Sequence, residues 1–155
     1  MPASTAAELV RAKRLVYQLL KFRNRSKKEI VDRLKRKKYS TNTIQKIIEH
    51  FQDLDYINDD QFATSWVQAR IANLQGPRRI FFELKQKGIK EELIKETWGR
   101  VKKDYNEFEV ARGFARDKLI TMGKLDKRKV KARIYGYLNR RGFSTAVIYE
   151  VMQTL

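Results

Sequence analysis

The sequence has no cysteine, so disulfide scaffolds, thiol nucleophiles and Cys-ligated zinc are excluded. A single histidine, His50, is too few for a His-rich metal site or paired-His chemistry. Only two prolines, Pro2 and Pro77, and seven glycines interrupt the 155 residues. No apolar run reaches the roughly 20 residues that a membrane helix needs. The opening Met1-Pro2-Ala3-Ser4-Thr5 lacks the charged-then-apolar order of a secretory signal, and a cytosolic chain is expected. No Gly-rich loop ending in Lys-Ser/Thr is present, so no ATPase site is indicated. Acidic residues are scarce beside basic ones: 18 Asp and Glu against 35 Lys and Arg, a net charge of +17. Such an excess points to an acidic partner.

What fills the chain is mostly helix-forming: Glu, Lys, Arg, Leu, Ile and Gln. Ile44, Ile47, Ile48, Phe51 and Leu54 follow the helical period, as do Phe108, Ala111, Ala115, Leu119 and Met122. No strand-like alternation competes. Ser26 with Glu29 forms a capping box, and Asn58 with Gln61 and Asn106 with Glu109 are looser versions. Gly76-Pro77 closes one helix and opens the next, with proline at the first helical position. Gly88 and Gly142 stand where left-handed C-caps belong. Nine helices are expected near 6–22, 26–37, 41–53, 59–74, 77–87, 90–102, 106–122, 127–140 and 144–154.

These helices repeat in threes. Ile30, Leu34, Tyr39, Ile44 and Ile48 recur as Ile80, Leu84, Ile89, Ile94 and Trp98. They recur again as Ile134, Leu138, Phe143, Ile148 and Met152. The turn recurs with them, as Lys37-Lys38-Tyr39, Lys87-Gly88-Ile89 and Arg141-Gly142-Phe143. The chain therefore reads as all-α, with three-helix repeats over 1–55, 56–104 and 105–155. Units of about 50 residues bury small cores, so neighbours should share contacts in an elongated, curved array.

Charge is uneven along the array. Residues 1–55 carry net +8, residues 56–104 net +3 and residues 105–155 net +6. Arg23, Arg25, Lys27, Lys28, Arg33, Lys37 and Lys38 crowd the first unit; Lys127, Lys131, Arg140 and Arg141 crowd the last. A single run of this kind is usually a solvated face. Several, with little acidic compensation, repel one another and are relieved by a polyanion. About six phosphate contacts on a single strand would give a log–log salt slope of about −4. Tyr39, Tyr135 and Tyr137 could stack on bases, although their periodicity fits core packing better.

Other chemistry is thin. Asp59-Asp60 at a helix start suits the macrodipole better than a metal. Asp53 and Asp55 nearby lack the glycine and closing glutamate of a calcium loop. Two further readings stay open. One is a stand-alone helix-turn-helix protein, with 26–37 and 41–53 as the helix pair and Asn42 and Gln45 as weak base readers. The other is a helical-repeat adaptor for an acidic protein.

Three segments resemble the RecX family of regulators of the RecA recombinase. Arg25-Ser26-Lys27-Lys28-Glu29-Ile30 with Leu34 is similar to the family's first-repeat pattern. Tyr56-Ile57-Asn58-Asp59 with Phe62-Ala63 resembles its Tyr-Leu-Asp-Asp…Arg-Phe-Ala block. Gly76-Pro77-Arg78-Arg79-Ile80 with Glu83-Leu84 and Lys87-Gly88-Ile89 resembles its Gly-Pro-x-Arg-Ile block, and Arg140-Arg141-Gly142-Phe143 suits its third repeat. Ile30 and Ile57 replace leucines, Asn58 an aspartate and Gln61 an arginine. Lys38 stands where glycine is usual, which calls the geometry of that turn into question.

The resemblance implies no enzyme, no cofactor and a cytosolic location. It implies binding to RecA filaments on single-stranded DNA, with restraint of filament growth, ATPase, strand exchange and coprotease activity. Duplex DNA is a further possible ligand, no membrane is involved, and the chain is expected to act as a monomer.

Overall fold

Helices begin where the sequence supplies an oxygen for orphan amides. Thr5, Ser26, Ser40, Asn58 and Asn106 accept from the N–H groups of Glu8, Glu29, Thr43, Gln61 and Glu109 at 3.1–3.3 Å. Ser26 and Glu29 close the expected capping box. A computed structural model describes residues 5–155, and Met1-Pro2-Ala3-Ser4, read above for a secretory signal, lies outside the described residues. The helices are α1 Ala6–Phe22, α2 Lys27–Arg36, α3 Thr41–Asp53, α4 Asp59–Ala72, α5 Pro77–Gln86, α6 Glu91–Val101, α7 Glu107–Met122, α8 Lys127–Arg140 and α9 Thr145–Gln153. A 3-10 turn, Lys102–Asp104, follows α6, and no strand occurs among the described residues.

Three helices at a time surround one core. The first core holds Val16, Ile30, Leu34, Ile47 and Phe51; Ile57, beyond the expected boundary at 55, also packs into it. The second holds Phe62, Val67, Ile80, Leu84 and Ile94, and the third Ala111, Ala115, Ile134, Leu138, Phe143 and Ile148. The repeated apolar positions are the interior of each trio. Trp98, Tyr39 and Met152 are the half-buried exceptions, packed at the rims.

The repeated turn has one geometry in all three trios. Tyr39 N–H donates to the Leu34 carbonyl at 3.2 Å, and Lys38 N–H to that of Lys35 at 2.9 Å. Ile89 and Gly88 make the same pair of bonds to Leu84 and Lys85, and Phe143 and Gly142 to Leu138 and Asn139. This is the Schellman closure of a helix, with its central residue left-handed. Gly88 has φ +78° and Gly142 φ +88°; Lys38 adopts φ +62° without being glycine.

The trios meet at two joints of the same design. At the second joint the start of α5 abuts the turn that ends α8. Gly76 N–H donates to the Arg141 carbonyl at 2.8 Å, and Arg78 N–H to the Gly142 carbonyl at 2.9 Å. Pro77 between them has no N–H to leave unpaired. Orphan donors of one helix thus satisfy orphan carbonyls of another. At the first joint the start of α2 abuts the turn that ends α5: the Ser26 hydroxyl donates to the Lys87 carbonyl at 2.7 Å. Lys27 N–H is taken by the Asp59 carboxylate at 2.8 Å. The helices α8, α5 and α2 therefore run head to tail. Their 14, 10 and 10 residues give roughly 50 Å of helix axis.

Candidate interaction surface

Close approach explains the glycines at the joints. A Cβ on Gly76 would sit 2.2 Å from the Gly142 carbonyl carbon, and one on Gly142 would sit 2.4 Å from Arg79 Cβ. A Cβ on Gly88 would sit 2.5 Å from Lys28 Cβ. Locally, the sequence marks Gly88 and Gly142 as helix caps. They are caps whose second task is to let the neighbouring trio touch.

Several of the cations expected to form a binding surface are engaged in this framework. Glu29, mostly buried, receives Arg23, with Arg25 at 3.7 Å and Lys87 at 3.6 Å. Burial pushes the Glu29 carboxyl up, but the Arg23 bond, the charges of Lys87 and Arg23 and the Ser26 N–H outweigh it. The group lies below its ordinary 4.5. Arg25 is lowered, by burial first and by Arg23 next. Lys28 pairs with Asp32 at 2.7 Å. Arg141 lies over the Phe114 ring at 4.0 Å and donates to the Asn73 carbonyl across the second joint. Arg79 bonds Glu83 and the Arg140 carbonyl there, and Arg78 bonds the Phe143 carbonyl at 2.9 Å and Asn139 at 2.6 Å.

Other expected cations have no carboxylate partner for their side chains among the described residues: Lys27, Arg33, Lys37, Lys38, Lys127, Lys131 and Arg140. The Arg33 Nε is buried without a hydrogen bond. Lys37 and Lys38 sit at the C-terminal end of the α8–α5–α2 series, and Lys127 and Lys131 at its N-terminal end. The first set complements the helix dipole; the second opposes it, with no acidic residue in the first turn of α8.

The remaining motif residues divide simply. Phe62, Leu84 and Phe143 are core, and Phe62 stacks on Trp66 at 5.6 Å. Tyr56 is exposed, edge-on to Tyr17. Tyr39 and Tyr137 pack at core rims, as periodicity favoured, and Tyr135 stands against Tyr149 at the surface. Of the acidic run, Asp55 accepts from Asn58 and Gln61, Asp59 from Lys27 and Asp60 from Arg100, while Asp53 stands exposed on α3.

Two open grooves adjoin along α8. One, about 570 Å³, lies between α7 and α8 and is lined by Lys118, Arg133, Gly136 and Arg140. The other, about 470 Å³, lies over the second joint and is lined by Arg78, Arg79, Phe82, Asn139 and Arg140. Sequence reasoning passed over Phe82, which is 62% exposed. Its position was legible: two residues past buried Ile80, it points about 200° away from the core.

Comparison with known proteins follows this geometry closely. Family models described as the first, second and third three-helix domains of RecX match residues 12–51, 58–97 and 104–152. The chain belongs to the RecX family. Members named "Regulatory protein RecX" include one from Amycolatopsis mediterranei, 29% identical over 92% of this chain and 82% of its own length. The one from Clostridium beijerinckii is 30% identical over 93% and 68%. The Bacillus subtilis RecX is 34% identical over 88% of this chain, which spans only 52% of that longer protein. The crystal structure of RecX from Lactobacillus salivarius shares the fold, with a TM-score of 0.81 at 24% identity, covering 97% of this chain and 98% of that one. The chain is thus a RecX-family regulatory protein built of three tandem three-helix units.

Proposed function

We propose that this chain is a negative regulator of a RecA-type recombinase. It binds the recombinase filament on single-stranded DNA and restrains filament extension, ATP hydrolysis, strand exchange and coprotease activity. It does so as a cytoplasmic monomer, with no catalysis and no cofactor of its own. RecX membership carries this reading, joined to an open array with uncompensated cations at both ends. Arg33, Lys37, Lys38, Lys127, Lys131 and Arg140 supply electrostatic attachment to a fibre that carries DNA phosphates. Arg141 and the Lys27 N–H bond across the joints and set the spacing of the units, while Arg23, Arg25 and Lys28 are paired with carboxylates inside the first trio.

A stand-alone helix-turn-helix reading fits less well. The exposed face of α3 carries Asn42, Gln45 and one cation, Lys46, against the carboxylates of Glu49 and Asp53. That face offers little to duplex phosphates. Pull-down of RecA with and without single-stranded DNA and a non-hydrolysable nucleotide tests the proposal. Capture that strengthens when the filament forms supports it, and no capture in any state refutes it.

A further inference from the structure

The grooves flanking α8 carry more than a general positive charge. Arg133 and Arg140 are seven residues apart on α8, two turns along one face, about 10 Å. Neither has a carboxylate partner among the described residues. Both line the α7–α8 groove with Lys118, and Arg140 continues into the groove over the joint. Gly136 lies between them in mid-helix, where glycine costs about 1 kcal/mol against alanine. The Arg140 guanidinium lies over this glycine, with Nη1 3.1 Å from where a Cβ would stand.

At the far side of the joint groove stands Phe82, 62% exposed. The repeat does not require an aromatic at this register: the matching positions are Asp32 in the first trio and Gly136 in the third. The one carboxylate lining this groove, Glu83, is taken by Arg79 at 3.2 Å and Arg70 at 2.7 Å. An apolar ring thus sits in water beside a track of cations.

We propose that this track seats one nucleic-acid strand, an inference that rests on the filament-regulator reading and deepens it. Arg140, Arg133 and Lys118 take successive phosphates, and an unpaired base stacks on Phe82. Duplex DNA keeps its bases stacked on one another and offers no face to the ring, so the site selects single strands.

Fluorescence anisotropy with labelled oligo(dT) and with a duplex of equal length tests this on the full chain. Phe82→Ala should weaken oligo(dT) binding about tenfold and leave duplex affinity unchanged. Phe82→Trp should bind as wild type, with its added emission quenched by oligo(dT). Arg133→Gln with Arg140→Gln should reduce the salt slope for oligo(dT) by about 1.4. Phe82 is exposed, so circular dichroism and the thermal midpoint should not move.

Wild-type oligo(dT) affinity in Phe82→Ala overturns the stacking assignment. An unchanged salt slope in the double arginine variant overturns the phosphate track. ATP hydrolysis by RecA, measured with the same proteins, separates the two levels. Wild-type protein that restrains RecA while the variants bind oligo(dT) normally removes this site and leaves the regulator. Variants that lose oligo(dT) binding, in a protein whose wild type leaves RecA untouched, keep the site and remove the regulator.

Discussion

Lys38, Gly88 and Gly142 occupy one position of a repeated turn, and all three are left-handed. The two glycines meet a neighbouring trio, through Lys28 and Arg79, whereas Lys38 is exposed. Lys38 ends the array, so its side chain clashes with no neighbour and the substitution carries only backbone strain. Lys38→Gly should therefore stabilise the protein by about 1 kcal/mol, raising the thermal midpoint by a few degrees. Gly142→Ala should do the opposite and by more, because strain and collision add. A lowered midpoint for Lys38→Gly would contradict this account. The capping role of these glycines was legible in sequence; the close approach was not, because the residues that press on them belong to another trio.

Glu29 makes a second prediction at this scale. Its folded carboxyl lies below 4.5, so its contribution to stability is present above that value. The contribution is lost as pH falls through the depressed folded value. Glu29→Gln should be less stable than wild type at pH 7, by about 1 kcal/mol from the weakened cap and lost ion pairs. The gap should close once acidification has passed through that depressed value, where both proteins carry a neutral group. Chemical denaturation across that range measures it, and a pH-independent gap would contradict the assignment.

Among the elements, helices were the most legible feature, because apolar period, caps and the single interior proline all agreed. Leu84, one repeated position, is fully buried, and Leu84→Ala should cost roughly 2–5 kcal/mol. A midpoint shift of only about a degree would place it outside the core. The Lys102–Asp104 turn escaped the reading because three residues carry no period. The joints escaped it for a different reason. Gly76-Pro77-Arg78 announces a helix start, yet nothing local says that its amides bond to the end of α8. The role of Arg141 was equally hidden: a cation in a basic run is indistinguishable in sequence from one lying on Phe114.

Taken whole, the molecule is a line of small cores joined end to end. Such an array holds its shape through two joints, which fixes the spacing of cations at its ends and along α8. Total charge and repeat number were plain in the sequence; the division between structural and free cations needed three dimensions. With about six phosphate contacts, binding to single-stranded DNA should fall with salt at a log–log slope of about −4. A slope near zero would mean that the free cations do not meet phosphate.

The central claim is that this scaffold restrains a recombinase filament. Its most direct test is the rate of DNA-dependent ATP hydrolysis by RecA, followed at low salt as this protein is added below the concentration of RecA. The rate should fall at substoichiometric amounts; a rate that stays constant up to equimolar protein would contradict the claim.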